Sequence, residues 1–256
     1  MRLRGLLLVL LLGLPGQARA GEVIVAAASD LSFAIKELAA SFEKTTGYSV
    51  KLSLGSSGNF HAQITNGAPF DVFLSADLSY VRDLEKRGLT EPGSSHIYAI
   101  GRIVLWVPRN SPIRIESAGM KALLDPLARK IAIANPEHAP YGRAAVEAMK
   151  KAGVYDAVKS RLVLGENISQ AAQFVHSRAA DIGIIALSLA SSDTMKEGGR
   201  SWEIPMNSYP RMEQGVVILK QASKSGHSAA AQAFLQALRS EPGRAILRRY
   251  GFTSPQ

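Results

Sequence analysis

Lys130-Ile131-Ala132-Ile133-Ala134-Asn135-Pro136-Glu137-His138-Ala139-Pro140-Tyr141-Gly142-Arg143-Ala144-Ala145 is the stretch whose reading decides the fold. Alternating apolar residues predict a buried strand from Lys130 to Ala134. Asn135-Pro136 breaks it, and Pro140 fixes the backbone just before Tyr141 and Gly142. An Ala-rich helical pattern then runs to about Lys151. The first amides of such a helix lack intrahelical acceptors and face back over the strand end, which makes a helix start an anion site. Taken alone, this is an ordinary strand-to-helix turn. The chain builds it four times.

Glu22 to Ala28 is a continuous apolar run, as in a parallel strand covered on both faces. Ser29-Asp30 follows as a candidate N-cap, and Leu31 to Phe42 has helical period. Tyr48 to Leu54 predicts a second strand, ending in Gly55-Ser56-Ser57-Gly58-Asn59 with a helix from about Phe60. Phe70 to Ser75 predicts a third strand and Leu78 to Arg87 a helix. This β-α-β-α-β-α order argues for a parallel sheet flanked by helices. Ile100 to Val107 reads as one strong strand. A second set follows: a helix ending near Leu127, the quoted strand and helix, a strand over Arg161–Leu164, the turn Gly165-Glu166-Asn167-Ile168-Ser169, a helix over Gln170–Arg178, and a strand over Asp181–Ala186.

The two sets repeat a spacing. Gly55 opens a turn and Asp71 opens the next strand sixteen positions later; Gly165 and Asp181 stand the same distance apart. The expectation is an α/β protein of two lobes, each a mostly parallel sheet flanked by helices. Ser191–Ser201 reads as a polar segment and Trp202–Pro210 as an extended one. The strand Gly215–Leu219 and the helices Ala229–Leu238 and Pro242–Tyr250 would return the chain to the first lobe. Lobe 1 is expected over residues 21–99 and 211–256 and lobe 2 over 100–210, with crossovers near Tyr98–Arg102 and Asn207–Gln214. A cleft between them at the carboxyl ends of the strands is the expected site.

Residues 1–20 read as a cleaved secretory leader: Arg2 and Arg4, an apolar run from Leu6 to Leu14 too short for a membrane anchor, and Ala18-Arg19-Ala20 at the cut. Its removal takes three arginines and no acid, so the formal charge falls from +9 to +6. Nearly half the chain, 46%, is hydrophobic, which suits a packed core and argues against disorder. The basic residues fall mostly at helical spacing on solvated faces. No nucleic-acid-binding motif accompanies them, so a general pull on anions is the inference drawn. With no cysteine, thiol chemistry and cysteine-bound metals are excluded.

Four turns then face one cleft: Ser29-Asp30, Ser56-Ser57-Gly58, Pro140-Tyr141-Gly142 and Asn167-Ile168-Ser169. They offer amides and hydroxyls, all neutral donors, with helix dipoles supplying partial positive charge. Such a site suits a small multivalent oxyanion. The Asp30 carboxylate would repel one, so its side chain is expected to point away and its amide to serve. Individually, Ser29 reads as a cap, Ser56 and Ser57 as a polar turn, and His138 as structural.

Val-Ala-Ala-Ala-Ser-Asp-Leu (25–31), Gly-Ser-Ser-Gly-Asn (55–59), Gly-Ala-Pro-Phe-Asp-Val-Phe-Leu-Ser-Ala-Asp (67–77), Asn-Pro-Glu-His-Ala-Pro-Tyr-Gly-Arg-Ala-Ala (135–145) and Arg-Arg-Tyr-Gly-Phe-Thr (248–253) together resemble the periplasmic molybdate-binding proteins of ABC transporters, from about Val23 to Thr253. The resemblance implies a type II periplasmic-binding fold. It implies a protein that binds molybdate or tungstate, uses no cofactor, holds molybdenum only as the oxyanion, and delivers it to a membrane permease. It places ligand contacts on Ser29, Ser57, Tyr141 (through its amide and ring) and Ile168 (through its amide), with Asp30, Ser56, Gly58 and Asn167 around them. Some members carry a ligand-contacting tyrosine after the last strand of the second lobe. This chain has Ala186 there, so that contact is absent or is replaced by the Tyr141 hydroxyl. A periplasmic monomer without nucleic-acid partners is expected. The alternatives are a receptor for sulfate, phosphate or an organic anion, and a secreted serine hydrolase using Ser29 or Ser57. The hydrolase lacks a Gly-x-Ser-x-Gly elbow and a histidine at a suggestive position, His61 lying one helical turn after Ser57.

Overall fold

The computed structural model describes residues 21–255; the leader expected over residues 1–20 lies outside them. Ten strands form two sheets. β1 (Glu22–Ala28), β2 (Ser49–Gly55), β3 (Val72–Ser75), β4 (His96–Gly101) and β10 (Met212–Ile218) make the first, in the order β2-β1-β3-β10-β4. β5 (Ile103–Pro108), β6 (Ile131–Ala134), β7 (Leu162–Gly165), β8 (Ile182–Ala186) and β9 (Gly199–Glu203) make the second, in the order β7-β6-β8-β5-β9. The protein is a two-lobed α/β fold, one sheet to a lobe.

The sheets share one plan. β1 pairs in parallel with β2 and β3, and β10 lies antiparallel between β3 and β4. β6 pairs in parallel with β7 and β8, and β5 lies antiparallel between β8 and β9. Each antiparallel strand is the first one reached after the chain crosses between sheets. Both faces of the first sheet are covered. Leu31, Ile35, Phe42 and Phe234 pack on one face, and Phe60, Phe73, Val81 and Leu84 on the other. The second sheet centres on Trp106, Ile131, Ile133, Ile184 and Ile185, each at most 1% exposed.

The single strand expected over Ile100–Val107 is two strands in different sheets, parted at Arg102. Hydropathy does not mark the break, because the run is buried on both sides of it. The partners change instead: β4 pairs with β10, while β5 pairs with β8 and β9. Gly101 stands at the crossing because a Cβ there would lie 2.7 Å from both Tyr141 Oη and Gln214 Nε2. β9 begins in what reads as a polar, Gly-containing segment and ends in the stretch read as extended. Its alternating exposure is that of an edge strand.

The repeated spacing has a physical basis. Asp71 Oδ2 accepts from the Ile24 amide at 2.8 Å, and Asp181 Oδ2 accepts from the Lys130 amide at 2.8 Å. In the same pairs, the Asp71 and Asp181 amides donate to the carbonyls of Ile24 and Lys130. Each aspartate therefore pins the start of its strand to the central parallel strand beside it. Asp71 also accepts from Ser225 Oγ at 3.0 Å and contacts His227 Nδ1 at 2.8 Å, and it is wholly buried. Replacing Asp71 with alanine strands these donors, at about 1–3 kcal/mol for an unmet buried partner. Asp71→Ala should lower the denaturant midpoint accordingly; an unchanged midpoint would refute this role.

Candidate functional site

The four turns follow β1, β2, β6 and β7 at their carboxyl ends, two from each lobe, and they meet. Ser29, Asp30, Ser56, Ser57, Tyr141 and Ile168 line one small cavity of about 10 Å³, roughly the space that admits a single water-sized sphere. All six are nearly inaccessible, at 1–4% exposure. No lysine, arginine or histidine side chain lines it. A larger opening of about 930 Å³ lies between the helices Leu78–Lys86 and Pro140–Lys151. Its walls mix the charged side chains Arg82, Asp83, Arg143, Glu147 and Lys150 of both signs.

Local sequence explains each donor. Ser56 caps the helix Ser57–Thr65 by accepting from the Asn59 amide at 3.3 Å. Asn167 caps the helix Ile168–His176 by accepting from the Gln170 amide at 3.1 Å. Pro140 opens the helix Pro140–Lys151 at a position whose missing N–H costs nothing. The amides of Ser57, Tyr141 and Ile168 thus fall in first turns, without intrahelical acceptors. Ser57 Oγ accepts from the Ala76 amide at 2.9 Å, which leaves its own proton free to donate. Ser29 differs from the cap expected of it. It begins a 3-10 turn, Ser29–Leu31, that has no side-chain cap, and the α-helix starts only at Ala34. Its hydroxyl is drawn across to the other lobe, where it donates to Asn167 Oδ1 at 3.1 Å.

The lobes are closed on each other by polar contacts. Ser169 Oγ donates to the Ser29 carbonyl at 2.8 Å, and Ser188 Oγ to the Asp30 carbonyl at 2.8 Å. The Gly58 amide donates to the His138 carbonyl at 3.0 Å, and Ser56 Oγ meets His138 Nδ1 at 2.9 Å. Arg143 pairs with Asp77 at 2.7 Å nearer the rim. Gly58 and Asn167 therefore stand beside the cavity rather than in its lining. Both make contacts between the lobes: Gly58 with His138, read from sequence as structural, and Asn167 with Ser29.

The Asp30 side chain, expected to point away, instead lies between the lobes, where Tyr141 of the second lobe supplies a donor to it. Its Oδ2 accepts from Tyr141 Oη at 2.9 Å and from Gln214 Nε2 at 2.7 Å. Gln214 Oε1 in turn accepts from Tyr98 Oη at 2.7 Å. Burial pushes the Asp30 carboxyl up to about 6, against the hydrogen bonds from Gln214 and Tyr141 that favour the charged form. Burial, with the Asp30 charge added, holds both tyrosine hydroxyls well above their ordinary range. The Tyr141 hydroxyl is thus engaged by Asp30 and Gln214. Sequence reading missed Gln214, Tyr98 and Ser188. For Gln214 the available signal was an amide side chain inside an apolar strand.

Ser29 and Ser57 have no histidine as base: His61 binds Asp83 at 2.7 Å. His138 reaches Ser56, but no acid orients it among the described residues. No cluster of metal-ligating side chains occurs among the described residues either.

A family model described as bacterial extracellular solute-binding protein matches residues 23–253. The chain belongs to that family. It is accordingly a binding protein of solute transport and not an enzyme. It is 41% identical to the molybdate-binding protein ModA of Rhodobacter capsulatus over 96% of this chain and 94% of the relative. It is 40% identical to ModA of Azotobacter vinelandii over 92% and 91% of the two chains. The solved structure of an Azotobacter vinelandii periplasmic molybdate-binding protein superposes with a TM-score of 0.84 at 35% identity, covering 91% of this chain and all of that one.

Closure depends on backbone approaching backbone at Gly58, where a Cβ would lie 2.5 Å from the His138 carbonyl oxygen. Gly58→Ala is expected to hold the lobes apart. Small-angle scattering should give a larger radius of gyration than the parent chain while far-UV circular dichroism is unchanged. Equal radii would mean that this contact does not limit closure.

Proposed function

We propose that the chain captures molybdate, and tungstate with it, between its lobes and delivers it to a membrane ABC permease. In this reading the mature protein starts at Gly21 after cleavage of the leader and works in the periplasm as a monomer. Lobe 1 comprises residues 21–99 and 211–256 and lobe 2 residues 100–210, hinged where the chain crosses between the sheets. The observation that carries the proposal is the convergence of four strand-to-helix turns on one cavity that no cation lines. A dianion there is stabilised by oriented dipoles and neutral donors instead of a countercharge. The names of the relatives supply the identity of the oxyanion.

Ser29 and Ser57 give hydroxyl donors; the amides of Ser57, Tyr141 and Ile168 complete the set, with Asp30, Ser56, Gly58 and Asn167 positioning it. Ser57 is the clearest donor, because the Ala76 amide already occupies a lone pair of its oxygen. Ser29 must release Asn167 to serve. Every group but Asp30 is a donor, which suits an anion whose oxygens only accept. The preference for molybdate over sulfate then rests on the span between donors of the two lobes, which a larger tetrahedron bridges better.

Thermal unfolding of ligand-stripped mature protein with molybdate, tungstate, sulfate or phosphate tests the ligand. At ~100 times the dissociation constant a ligand stabilises by about 2.7 kcal/mol. A shift with the two oxometallates alone is expected; a shift only with sulfate or phosphate would overturn the ligand, and no shift with any would overturn the oxyanion site. Ser57→Ala should weaken molybdate binding roughly tenfold to a hundredfold, since a hydrogen bond to a charged group contributes about 1.5–3 kcal/mol. Calorimetry showing parental affinity would remove Ser57 from the site.

A further inference from the structure

Asp30 is the one acid in a cavity otherwise walled by donors and apolar groups. It is 1% exposed. Both hydrogen bonds it receives from side chains, from Tyr141 and Gln214, go to Oδ2. Oδ1 is buried and has no partner, alone among buried side-chain polar atoms of the described residues. The backbone amides of Asp30 and Leu31 lie close enough to favour the charged form, yet neither makes a hydrogen bond to Oδ1. An unpartnered carboxylate oxygen in a buried site is costly, and a dianion drawn in beside it would add like-charge repulsion. A protonated oxygen at Oδ1 removes both penalties, because it becomes one more donor.

The surroundings leave no other group to absorb the charge. Tyr141 from the Pro140–Lys151 helix and Tyr98 from β4 are neutral hydroxyls, and Gln214 from β10 is an amide. The short helix Leu187–Ala190 presents Ser188, which bonds the Asp30 carbonyl. From the Ile168–His176 helix the polar side chain nearest in the chain of contacts is Ser169, which bonds the neighbouring Ser29 carbonyl. No lysine, arginine or histidine is among the groups acting on the Asp30 carboxyl.

Resting on the oxyanion reading, we propose that Asp30 takes a proton from solvent as the lobes close, and that its Oδ1–H donates to an oxygen of the bound dianion. Capture is then coupled to uptake of up to one proton. The sign follows from linkage. The closed, liganded form raises the carboxyl above its value in the open, hydrated form, so binding is favoured by acid and weakens as pH rises toward the liganded value. In that window affinity falls by up to about tenfold per pH unit.

The test is calorimetric titration of molybdate into the full mature chain at pH 7, in buffers of different ionisation enthalpy, with affinities measured from pH 6 to 8. The parent should take up a measurable fraction of a proton per molybdate and bind severalfold more weakly with each pH unit. Asp30→Asn, whose amide reproduces an acceptor at Oδ2 and a donor at Oδ1, should bind without proton uptake and with little pH dependence. Difference infrared spectra of the parent provide a readout that needs no variant: molybdate should raise a protonated-carboxyl C=O band. Binding with no proton uptake and no such band would overturn the proposal alone, as would uptake that persists in Asp30→Asn. Tighter binding of hydrogen phosphate than of molybdate would also overturn it, by making Asp30 an acceptor for a proton-bearing anion. Absence of molybdate binding at every pH would overturn the oxyanion reading and this proposal together.

Discussion

The hydrogen bond from the Tyr141 hydroxyl to Asp30 Oδ2 joins the second lobe to the first turn of the other, at a place water does not reach. Removing a carboxyl from water is tolerable only where its oxygens are met. Gln214 therefore completes the pair from β10, and Tyr98 fixes Gln214 in turn. That chain of four side chains runs beside the crossing at Gly101, where only a glycine leaves room for Tyr141 and Gln214 to approach. The polar face and the hinge are thus one construction. The apolar cores lie behind it, one on either face of the first sheet and one in the second lobe.

Much of this is legible in the residues. A continuous apolar run marked β1, because a strand covered on both faces needs no polar alternation, and alternating apolar residues marked β6. Glycine, serine and proline marked the turns. The sixteen-residue echo between Gly55–Asp71 and Gly165–Asp181 reflected a shared mechanical need, since each aspartate ties the start of its strand to the one beside it. The gathering of Ser29, Ser57, Tyr141 and Ile168 at one cavity could be anticipated because strand-end turns of a parallel sheet open on the same side.

Other features were closed to that reading, for definable reasons. Pairing partners leave no trace in hydropathy, so Ile100–Val107 looked like a single strand although it serves two sheets. An edge strand such as β9 buries too little to stand out from a polar loop. Ser29 had the composition of a cap, yet its hydroxyl reaches a residue 138 positions away, and no local rule reports a contact of that range. The role of Gln214 is similar, because a lone amide in a strand says nothing about which lobe it will meet.

The insertion of β10 between β3 and β4 bears on the order in which the chain can fold. The second sheet is encoded without interruption from Ile103 to Glu203. The first is left with a gap in its middle until Met212–Ile218 has emerged, and the edges of β3 and β4 that flank it carry unmet backbone groups until then. A growing or translocating chain can therefore complete its second lobe while its first remains open. The residues of Ser29-Asp30 and Ser56-Ser57, made earliest, acquire a finished scaffold only when almost the last strand-forming segment arrives.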